Sequence, residues 1–384
     1  MKKSMLLMFG CLLSMLSVWG QQSEAGRALS KEEVKDARQK VAAEWMEKMR
    51  NKHASAWKNL TFVHDSLKLY CACRDFGFIP SDGRSLYISM HGGGKAPADM
   101  NNGQWRNQLF LYQPAEGLYV APRAPWDDSD MWHKAGLDEF LQELIQACVV
   151  FENVNPDKVY LLGYSAGGDG VWRMAPRMAD HWAAASMMAG HPGNASQVNL
   201  RNLPYMIWMG GQDSAYHRNT LARERALVMD SLQQADPKGY IHESHILEDK
   251  GHWMDHADTA AISWMARYRR NPYPERVVWR QEEVVRPYFY WLGAPREELA
   301  HGKQIVATLH RDKNEVNIEK CDYSRITLYL NDEMLDLDKP VTIRHGGKKI
   351  LRKKLKRTIE TLKQTIDERG DYRYMFPVTV EISL

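Results

Sequence analysis

The sequence has 384 residues, 44% of them hydrophobic, which is enough for one large core and a smaller second domain. Its 51 basic and 48 acidic residues nearly cancel, leaving a formal net charge of +3. Such a balance gives no support for nucleic-acid binding, because that function depends on a concentrated basic field.

The N-terminus has the pattern of a bacterial signal peptide. Lys2 and Lys3 precede a short apolar run, and Gly20 suits the last residue before a cleavage site. We therefore expect residues 1–20 to be removed from an exported protein, periplasmic or extracellular. A lipoprotein cut before Cys11 is the alternative, disfavoured because the apolar run continues past that cysteine. No later segment has the roughly 20 apolar residues of a membrane span.

The segment 21–60 is predicted to be helical. Ser30 and Glu33 match a capping box, and apolar residues recur at helical spacing from Val34 to Met49. We expect a helix over 31–57 that packs on the rest of the chain.

The remaining cysteines are Cys71, Cys73, Cys148 and Cys321. They are too few for a disulfide framework in a chain of this length, and a bridge between Cys71 and Cys73 would be strained. We expect them to be mostly free and buried, without a catalytic role.

Between residues 61 and 272, short apolar runs alternate with segments of helical periodicity. The strand-like runs are LKLYCAC, SLYISM, GLYVAP, KVYLLG, YMIWMG and YIHESHIL. Strands that alternate with helices predict an α/β fold with a doubly wound, mainly parallel sheet. Nearly continuous apolar runs are typical of strands that are buried on both faces.

The pattern changes at the proline-rich stretch NPYPER, which begins at residue 271. Short strand-like runs with turn signals then predict a smaller, mainly β domain over 275–384. One helix is predicted at about 349–369. Its basic residues would be Lys348, Lys349, Arg352, Lys353, Lys354, Lys356 and Arg357. Because acidic residues follow and no aromatic residues interleave, a solvated basic helix face is favoured over a polyanion site.

The stretch Gly163-Tyr164-Ser165-Ala166-Gly167 joins a predicted strand to a predicted helix and fits G-x-S-x-G. A sharp strand-to-helix turn strains its middle residue and favours glycine two positions to either side. The turn lifts the Ser165 hydroxyl above the carboxyl edge of the sheet. It also places the Ala166 N–H at a helix N-terminus, where negative charge is favoured. Ser165 is therefore the candidate nucleophile.

A glycine-rich loop, His91-Gly92-Gly93-Gly94, follows the predicted strand SLYISM. Glycines let backbone N–H groups approach a substrate oxygen closely, so Gly93, Gly94 and Ala166 are predicted to form an oxyanion hole. The alternative is an ordinary glycine-rich turn. His91 is expected to be structural.

An acid and a histidine follow two later strands. Asp213 comes after YMIWMG, and His252 lies in the loop after YIHESHIL. A carboxylate in this place would hold the histidine in one tautomer, and the histidine would serve as general base toward Ser165.

Three other histidines compete with His252. His242 and His245 fall inside a predicted strand, and His256 is predicted to lie one turn into the next helix and to face elsewhere. A metal cluster of His252, His256, Asp255 and Asp258 is the weaker alternative, because no H-E-x-x-H motif accompanies it. We expect no metal.

The order Ser165, Asp213, His252, with the motifs HGGG, GYSAGG, GGQD and KGHWM, resembles the α/β-hydrolase superfamily. Within it the sequence looks most similar to secreted bacterial esterases of the polyhydroxybutyrate-depolymerase-like and phospholipase/carboxylesterase-like branch. The resemblance covers roughly 66–270. It implies Ser165 as nucleophile, Asp213 as acid, His252 as base, and no cofactor.

Aromatic residues near the same edge are candidates for the walls of a substrate pocket: Tyr164, Trp126, Trp132 and Trp253, with Trp105 as a further candidate. Tryptophans here could stack on a sugar ring or an aromatic acyl group, or could simply exclude water.

The sequence thus predicts a serine carboxylesterase for small or carbohydrate-linked esters. A serine peptidase is an alternative, in which Asp127, Asp128 and Asp130 would meet a cationic substrate group. A non-catalytic protein that binds glycan or a partner is another. The oligomeric state stays open.

Overall fold

The computed structural model describes residues 26–384, so the predicted signal segment and its cleavage point lie outside the described residues. A sheet of eight strands in the order β1-β2-β4-β3-β5-β6-β7-β8 forms the centre. Its strands are β1 Thr61–His64, β2 Leu67–Phe76, β3 Arg84–Met90, β4 Gly117–Arg123, β5 Val154–Tyr164, β6 Ala184–Met188, β7 Tyr205–Gly210 and β8 His242–Leu247. Strands β4, β3 and β5 to β8 run parallel, β2 pairs antiparallel with β4, and β1 pairs antiparallel with β2. The predicted α/β class is confirmed.

Helices cover both faces of this sheet. They are α1 Lys31–Lys58, α2 Ala98–Leu111, α3 Leu137–Glu152, α4 Ala166–Arg177, α5 Arg218–Ala235, α6 Ala260–Met265 and, in the C-terminal part, α7 Ile359–Arg369. Successive residues of a strand point their side chains to opposite faces of the sheet. Leu86 and Ile88 pack into the core that includes α3 and α4, whereas Tyr87 packs with Tyr160 and the residues of α6 on the other side.

The N-terminal helix α1 begins at a capping box, as predicted. The Ser30 hydroxyl accepts from the Glu33 N–H, and the Glu33 carboxylate accepts from the Ser30 N–H at 2.8 Å. Its apolar stripe from Val34 to Met49 is buried, and the helix lies against α3 and α7. This helix therefore contacts both the part of the chain that forms the large sheet, through α3, and the C-terminal part, through α7.

The C-terminal part is mainly β, as predicted, and contains two further sheets. One has the order β10-β11-β14-β17 and the other β16-β15-β13-β12-β9. The strands are β9 Arg276–Arg280, β10 Tyr288–Phe289, β11 Leu292–Gly293, β12 Gln304–His310, β13 Glu315–Cys321, β14 Arg325–Leu330, β15 Val341–His345, β16 Lys348–Lys353 and β17 Val378–Ser383. One continuous hydrophobic core includes residues of the large sheet and of both smaller sheets.

The predicted basic helix over 349–369 is wrong in its first half. Residues 348–353 form strand β16, the second strand of a hairpin with β15, and α7 begins only at Ile359. Gly346 and Gly347 have φ of 56° and 79°, and this left-handed pair makes the reversal that joins the strands. The Thr358 hydroxyl then caps the helix by accepting from the Thr361 N–H.

Buried ion pairs tie the C-terminal part to the large sheet. The Arg270 guanidinium donates to Asp157 at 2.8 Å and to Asp371 at 2.7 Å, and Arg369 donates to Asp180 at 3.2 Å. Truncating one partner would leave a charge buried without compensation, which is strongly destabilising.

The four cysteines are free, as predicted, with Cys71 and Cys148 buried. Burial raises the pKa of both thiols, so they stay protonated. Within residues 26–384, no helix combines the length and the apolar character needed to cross a membrane.

Candidate active site

Ser165 lies on a strained turn between β5 and α4. Its φ of 58° and ψ of −120° are unusual for a residue with a side chain. A Cβ on Gly163 would lie 2.4 Å from the Gly167 carbonyl oxygen, and one on Gly167 would lie 2.0 Å from the Met90 carbonyl oxygen. Glycine is therefore required on both sides of the serine, for the steric reason inferred from the sequence.

The three residues predicted to act together lie within hydrogen-bond distance of one another. His252 Nδ1 is 2.7 Å from Asp213 Oδ2, and His252 Nε2 is 2.9 Å from Ser165 Oγ. The Asp213 side chain is only 2% exposed, whereas the His252 side chain is 42% exposed. The imidazole thus links a buried carboxylate to a hydroxyl at the solvent boundary.

The loops that carry the acid and the histidine are joined by backbone hydrogen bonds. The Gly211 N–H donates to the Leu247 carbonyl at 2.7 Å, and the Gln212 N–H donates to the Lys250 carbonyl at 2.9 Å. A Cβ on Gly210 would lie 1.9 Å from the Gly251 carbonyl oxygen, so a glycine allows this close approach. These contacts hold Asp213 and His252 in register.

The Tyr164 hydroxyl holds the His252 loop from the other side. It donates to the His252 carbonyl at 2.7 Å and accepts from the Met254 N–H at 3.2 Å. The sequence predicts Tyr164 only as a residue of the substrate pocket, and these two bonds were missed. A tyrosine beside the candidate nucleophile was the available signal, but the partner of its hydroxyl depends on the tertiary fold.

The glycine-rich loop supplies fewer candidate donors than predicted. Gly93 and Gly94 have φ of 115° and 113°, which favours glycine at both positions. The Gly94 N–H donates to Asn101 Oδ1 at 3.1 Å, so its predicted place in the oxyanion hole is wrong. The N–H groups of Gly93 and Ala166 make no hydrogen bond within residues 26–384. They are the remaining candidate donors.

His91 has a structural role, as predicted. Its Nε2 accepts from the Ala124 N–H at 3.1 Å, so the proton is on Nδ1, which donates to the Gly92 carbonyl at 2.6 Å. Burial lowers the pKa of His91 to about 4, so the ring is neutral near pH 7. Because C=O and N–H point to opposite sides of a trans peptide, the bond to Gly92 also orients the Gly93 N–H.

A cavity of about 530 Å³ opens beside Ser165, and we name it the serine cavity. Its lining consists of Gly92, Gly93, Gln104, Asn107, Gln108, Leu111, Tyr164, Ser165, His252 and Trp253. The three amide side chains come from one face of α2 and were missed from sequence. Among these lining residues there is no aspartate, glutamate, lysine or arginine. The cavity therefore suits an uncharged, hydrogen-bonding group.

The aromatic candidates divide into two groups. Tyr164 and Trp253 line the serine cavity. Trp132 is fully buried and its indole N–H donates to the His91 carbonyl at 2.8 Å, so its predicted place in the pocket wall is wrong. The centroid of the Trp126 ring lies 5.4 Å from Lys134 Nζ. Neither Trp126 nor Trp105 lines the serine cavity.

The alternative metal cluster around His252 is not assembled. Asp255 pairs with the Lys250 amino group at 2.9 Å, and Asp258 accepts from the Tyr112 hydroxyl. In the part of the chain that the structure describes, no group of three or more His, Cys, Asp or Glu side chains is placed to hold a metal ion.

The rival histidines have other partners. His242 is 3.1 Å from Asp230, and the His245 ring stacks on Trp208 at 4.2 Å. His256 has a φ of 64° and lies before α6 begins, so its predicted place inside a helix is wrong. Its ring meets Trp253 edge-on at 4.9 Å.

A mainly parallel sheet, a serine on a strand-to-helix turn, and an acid and a histidine after later strands together form the α/β-hydrolase arrangement. No family model and no curated protein matches the sequence.

Among solved structures, the chain is similar to a thermostable esterase, with 16% identity over 55% of this chain and 62% of that one and a TM-score of 0.44. It is also similar to a ferulic acid esterase, with 16% identity, coverage of 54% and 96%, and a TM-score of 0.39. A Bacillus cereus carboxylesterase gives 12% identity, coverage of 52% and 94%, and a TM-score of 0.38. This chain spans less than two thirds of the thermostable esterase.

Proposed function

We propose that the protein is a serine hydrolase that cleaves carboxylic esters through an acyl-enzyme on Ser165. The observation that carries this proposal is the hydrogen-bonded chain from Asp213 through His252 to Ser165, with distances of 2.7 and 2.9 Å. A nucleophile, a base in contact with it and a group that orients the base are the parts that covalent acyl transfer requires.

In the first half-reaction, Ser165 Oγ attacks the ester carbonyl carbon while His252 Nε2 accepts the hydroxyl proton. The carbonyl oxygen becomes an oxyanion that the N–H groups of Gly93 and Ala166 stabilise. The imidazolium, stabilised by the Asp213 carboxylate, then donates its proton to the departing alkoxy oxygen. The products of this half-reaction are an alcohol and an acyl group on Ser165.

In the second half-reaction, His252 accepts a proton from water as the water oxygen attacks the acyl carbon. The tetrahedral intermediate collapses, the carboxylic acid leaves, and the proton returns to Ser165 Oγ. The N-terminus of α4 favours the negative oxygen in both steps, because its free N–H groups carry partial positive charge.

The serine cavity supports a small or carbohydrate-linked ester as substrate. Gln104 and Asn107 are exposed amides with no hydrogen-bond partner within residues 26–384, so their donors and acceptors are available to hydroxyl groups. Trp253 is 46% exposed and offers an aromatic surface beside them.

The peptidase alternative lacks the anchor proposed for it. Asp127 pairs with Arg123, and Asp128 and Asp130 both pair with Lys134. Because each of these carboxylates already has a cationic partner within the loop, a substrate amino terminus would have to compete with Arg123 and Lys134 for them. A purely binding function is disfavoured because the hydrogen-bonded triad geometry would have no use in it.

A fluorophosphonate probe tests the nucleophile. We expect wild-type protein and Ser231→Ala to be labelled at equal rates and Ser165→Ala to remain unlabelled. Ser231 is an exposed serine on α5 and controls for the loss of a hydroxyl. Equal labelling of Ser165→Ala would refute the assignment.

A panel of nitrophenyl esters and peptide anilides tests the reaction. We expect ester turnover to exceed anilide turnover for every acyl group offered. Rapid anilide turnover with inert esters would establish the peptidase alternative instead.

The N-terminal pattern supports export to the periplasm or beyond. The intact mass of protein from the culture medium or a periplasmic fraction should correspond to a chain that begins at Gln21. Retention of the full-length chain in the cytoplasm would contradict export.

A further inference from the structure

A second cavity, of about 520 Å³, lies on the opposite side of helix α2 from the serine cavity, and we name it the outer cavity. It is formed by Lys68 and Tyr70 of β2, by Trp105 and Arg106 of α2, and by Arg123 and Asp127 at and after the end of β4. Neither the predicted catalytic residues nor the lining of the serine cavity contributes to it.

The outer cavity carries uncompensated positive charge. The Lys68 and Arg106 side chains are exposed and make no hydrogen bond, ion pair or ring contact with any residue between 26 and 384. Arg123, in contrast, is paired with Asp127 and donates to Asn102 Oδ1 at 2.9 Å. Three bases and one acid therefore face the cavity, and the two free cations attract an anionic ligand.

Two aromatic rings stand beside these cations. The Tyr70 side chain is 43% exposed. In the pairing of β2 with β4, Tyr70 lies directly opposite Arg123. The Trp105 indole N–H donates to the Ala121 carbonyl at 2.8 Å, which fixes the orientation of the ring. A fixed indole and an exposed phenol are surfaces on which a ligand ring can pack.

The presence of both free cations and aromatic rings in the outer cavity favours one class of ligand over others. A compact inorganic anion would use the cations and leave the rings without a partner. A neutral glycan would use the rings and leave the cations without a partner. A ring that bears a carboxylate uses both, and the cavity volume lies within the range of known small-molecule sites.

We propose that the outer cavity binds an acidic oligosaccharide. Carboxylates of its uronic-acid rings pair with Lys68 and Arg106, and the faces of its sugar rings pack on Tyr70 and Trp105. This binding is independent of the reaction proposed at Ser165 and needs no turnover to be detected.

The proposal is tested by calorimetric titration of the protein with trigalacturonate and with maltotriose, a neutral trisaccharide. We expect the acidic ligand to bind at least about tenfold more tightly than the neutral one. Lys68→Gln/Arg106→Gln should weaken trigalacturonate binding at least about tenfold, and Tyr70→Ala should weaken it by a similar factor.

The matched control is Lys349→Gln/Lys353→Gln. This variant also removes two positive charges, but from β16, where neither lysine has an ion pair within residues 26–384. We expect it to bind trigalacturonate within about twofold of wild type. Thermal unfolding should be cooperative in all four proteins, which verifies their folding without reference to Ser165. Equal affinity for the two sugars, or equal losses in the two double variants, would overturn the proposal, whatever the outcome for Ser165.

Discussion

Removing the Tyr164 hydroxyl should lower catalysis while leaving the pocket wall in place. In Tyr164→Phe the ring that lines the serine cavity remains, but the His252 carbonyl and the buried Met254 N–H lose their shared partner. An unsatisfied buried backbone group costs about 1–3 kcal/mol. If the His252 loop relieves that cost by moving, kcat falls by about 10- to 100-fold, since 1.36 kcal/mol corresponds to tenfold in rate. KM should change little.

Steady-state kinetics on a nitrophenyl ester, with thermal unfolding in parallel, separates positioning from stability. The matched control is Tyr290→Phe, which removes a buried hydroxyl that donates to the Ala179 carbonyl at 3.0 Å, away from the site. Both variants should unfold at lower temperature, but only Tyr164→Phe should lose kcat. If kcat in Tyr164→Phe stays within twofold of wild type, the hydroxyl does not position His252 and the reasoning is refuted.

Asp213→Asn should reduce kcat by about 10³- to 10⁴-fold in ester kinetics, because a neutral amide neither fixes the histidine tautomer nor stabilises the imidazolium; full activity would exclude Asp213 as the orienting acid. Gly167→Ala forces a Cβ to within 2.0 Å of a backbone oxygen and should cost at least about 1–3 kcal/mol in urea unfolding. On α2, a Cβ at Gly103 would meet no atom within 4 Å, so Gly103→Ala should instead raise the free energy of unfolding by about 0.5–1 kcal/mol. If Gly103→Ala destabilised the protein more than Gly167→Ala, the turn geometry would be contradicted. Since burial lowers the pKa of His91 from 6.5 to about 4, the unfolded chain takes up a proton there that the native protein does not. Stability should therefore fall by on the order of 3 kcal/mol as the pH drops through that window, and His91→Asn should flatten this dependence; an unchanged pH profile would argue against a buried neutral ring.

The turn around Ser165 could be predicted from sequence because its constraint is local. The clash that excludes side chains at Gly163 and Gly167 involves the turn and the adjacent strand, and any strand-to-helix turn of this kind produces it. The placement of Asp213 and His252 also followed from pattern, since both residues come after strands whose carboxyl ends share one edge of the sheet.

Other features depend on tertiary partners that no local pattern contains. Gly94 was a reasonable oxyanion donor until Asn101, seven residues later, proved to accept its N–H. Trp132 resembles a pocket tryptophan in the sequence, but its buried indole N–H donates to the His91 carbonyl of the glycine-rich loop. These errors arise because the partner of a polar group is decided by packing.

The basic segment after residue 348 was assigned to the wrong structure for a related reason. Its charged residues suit an exposed helix or an exposed edge strand equally well. The glycine pair Gly346-Gly347 is typical of a turn, but the pairing of β16 with β15 depends on a sheet assembled from distant strands.

Acid quenching of the protein during turnover of a nitrophenyl ester, followed by peptide mass spectrometry, tests whether the reaction passes through an acyl-enzyme on Ser165. We expect the acyl group on the peptide that contains Ser165, at the Ser165 side chain, and we expect it to be absent from Ser165→Ala. Ester turnover that persists in Ser165→Ala, or an acyl group carried by another residue, would contradict this expectation.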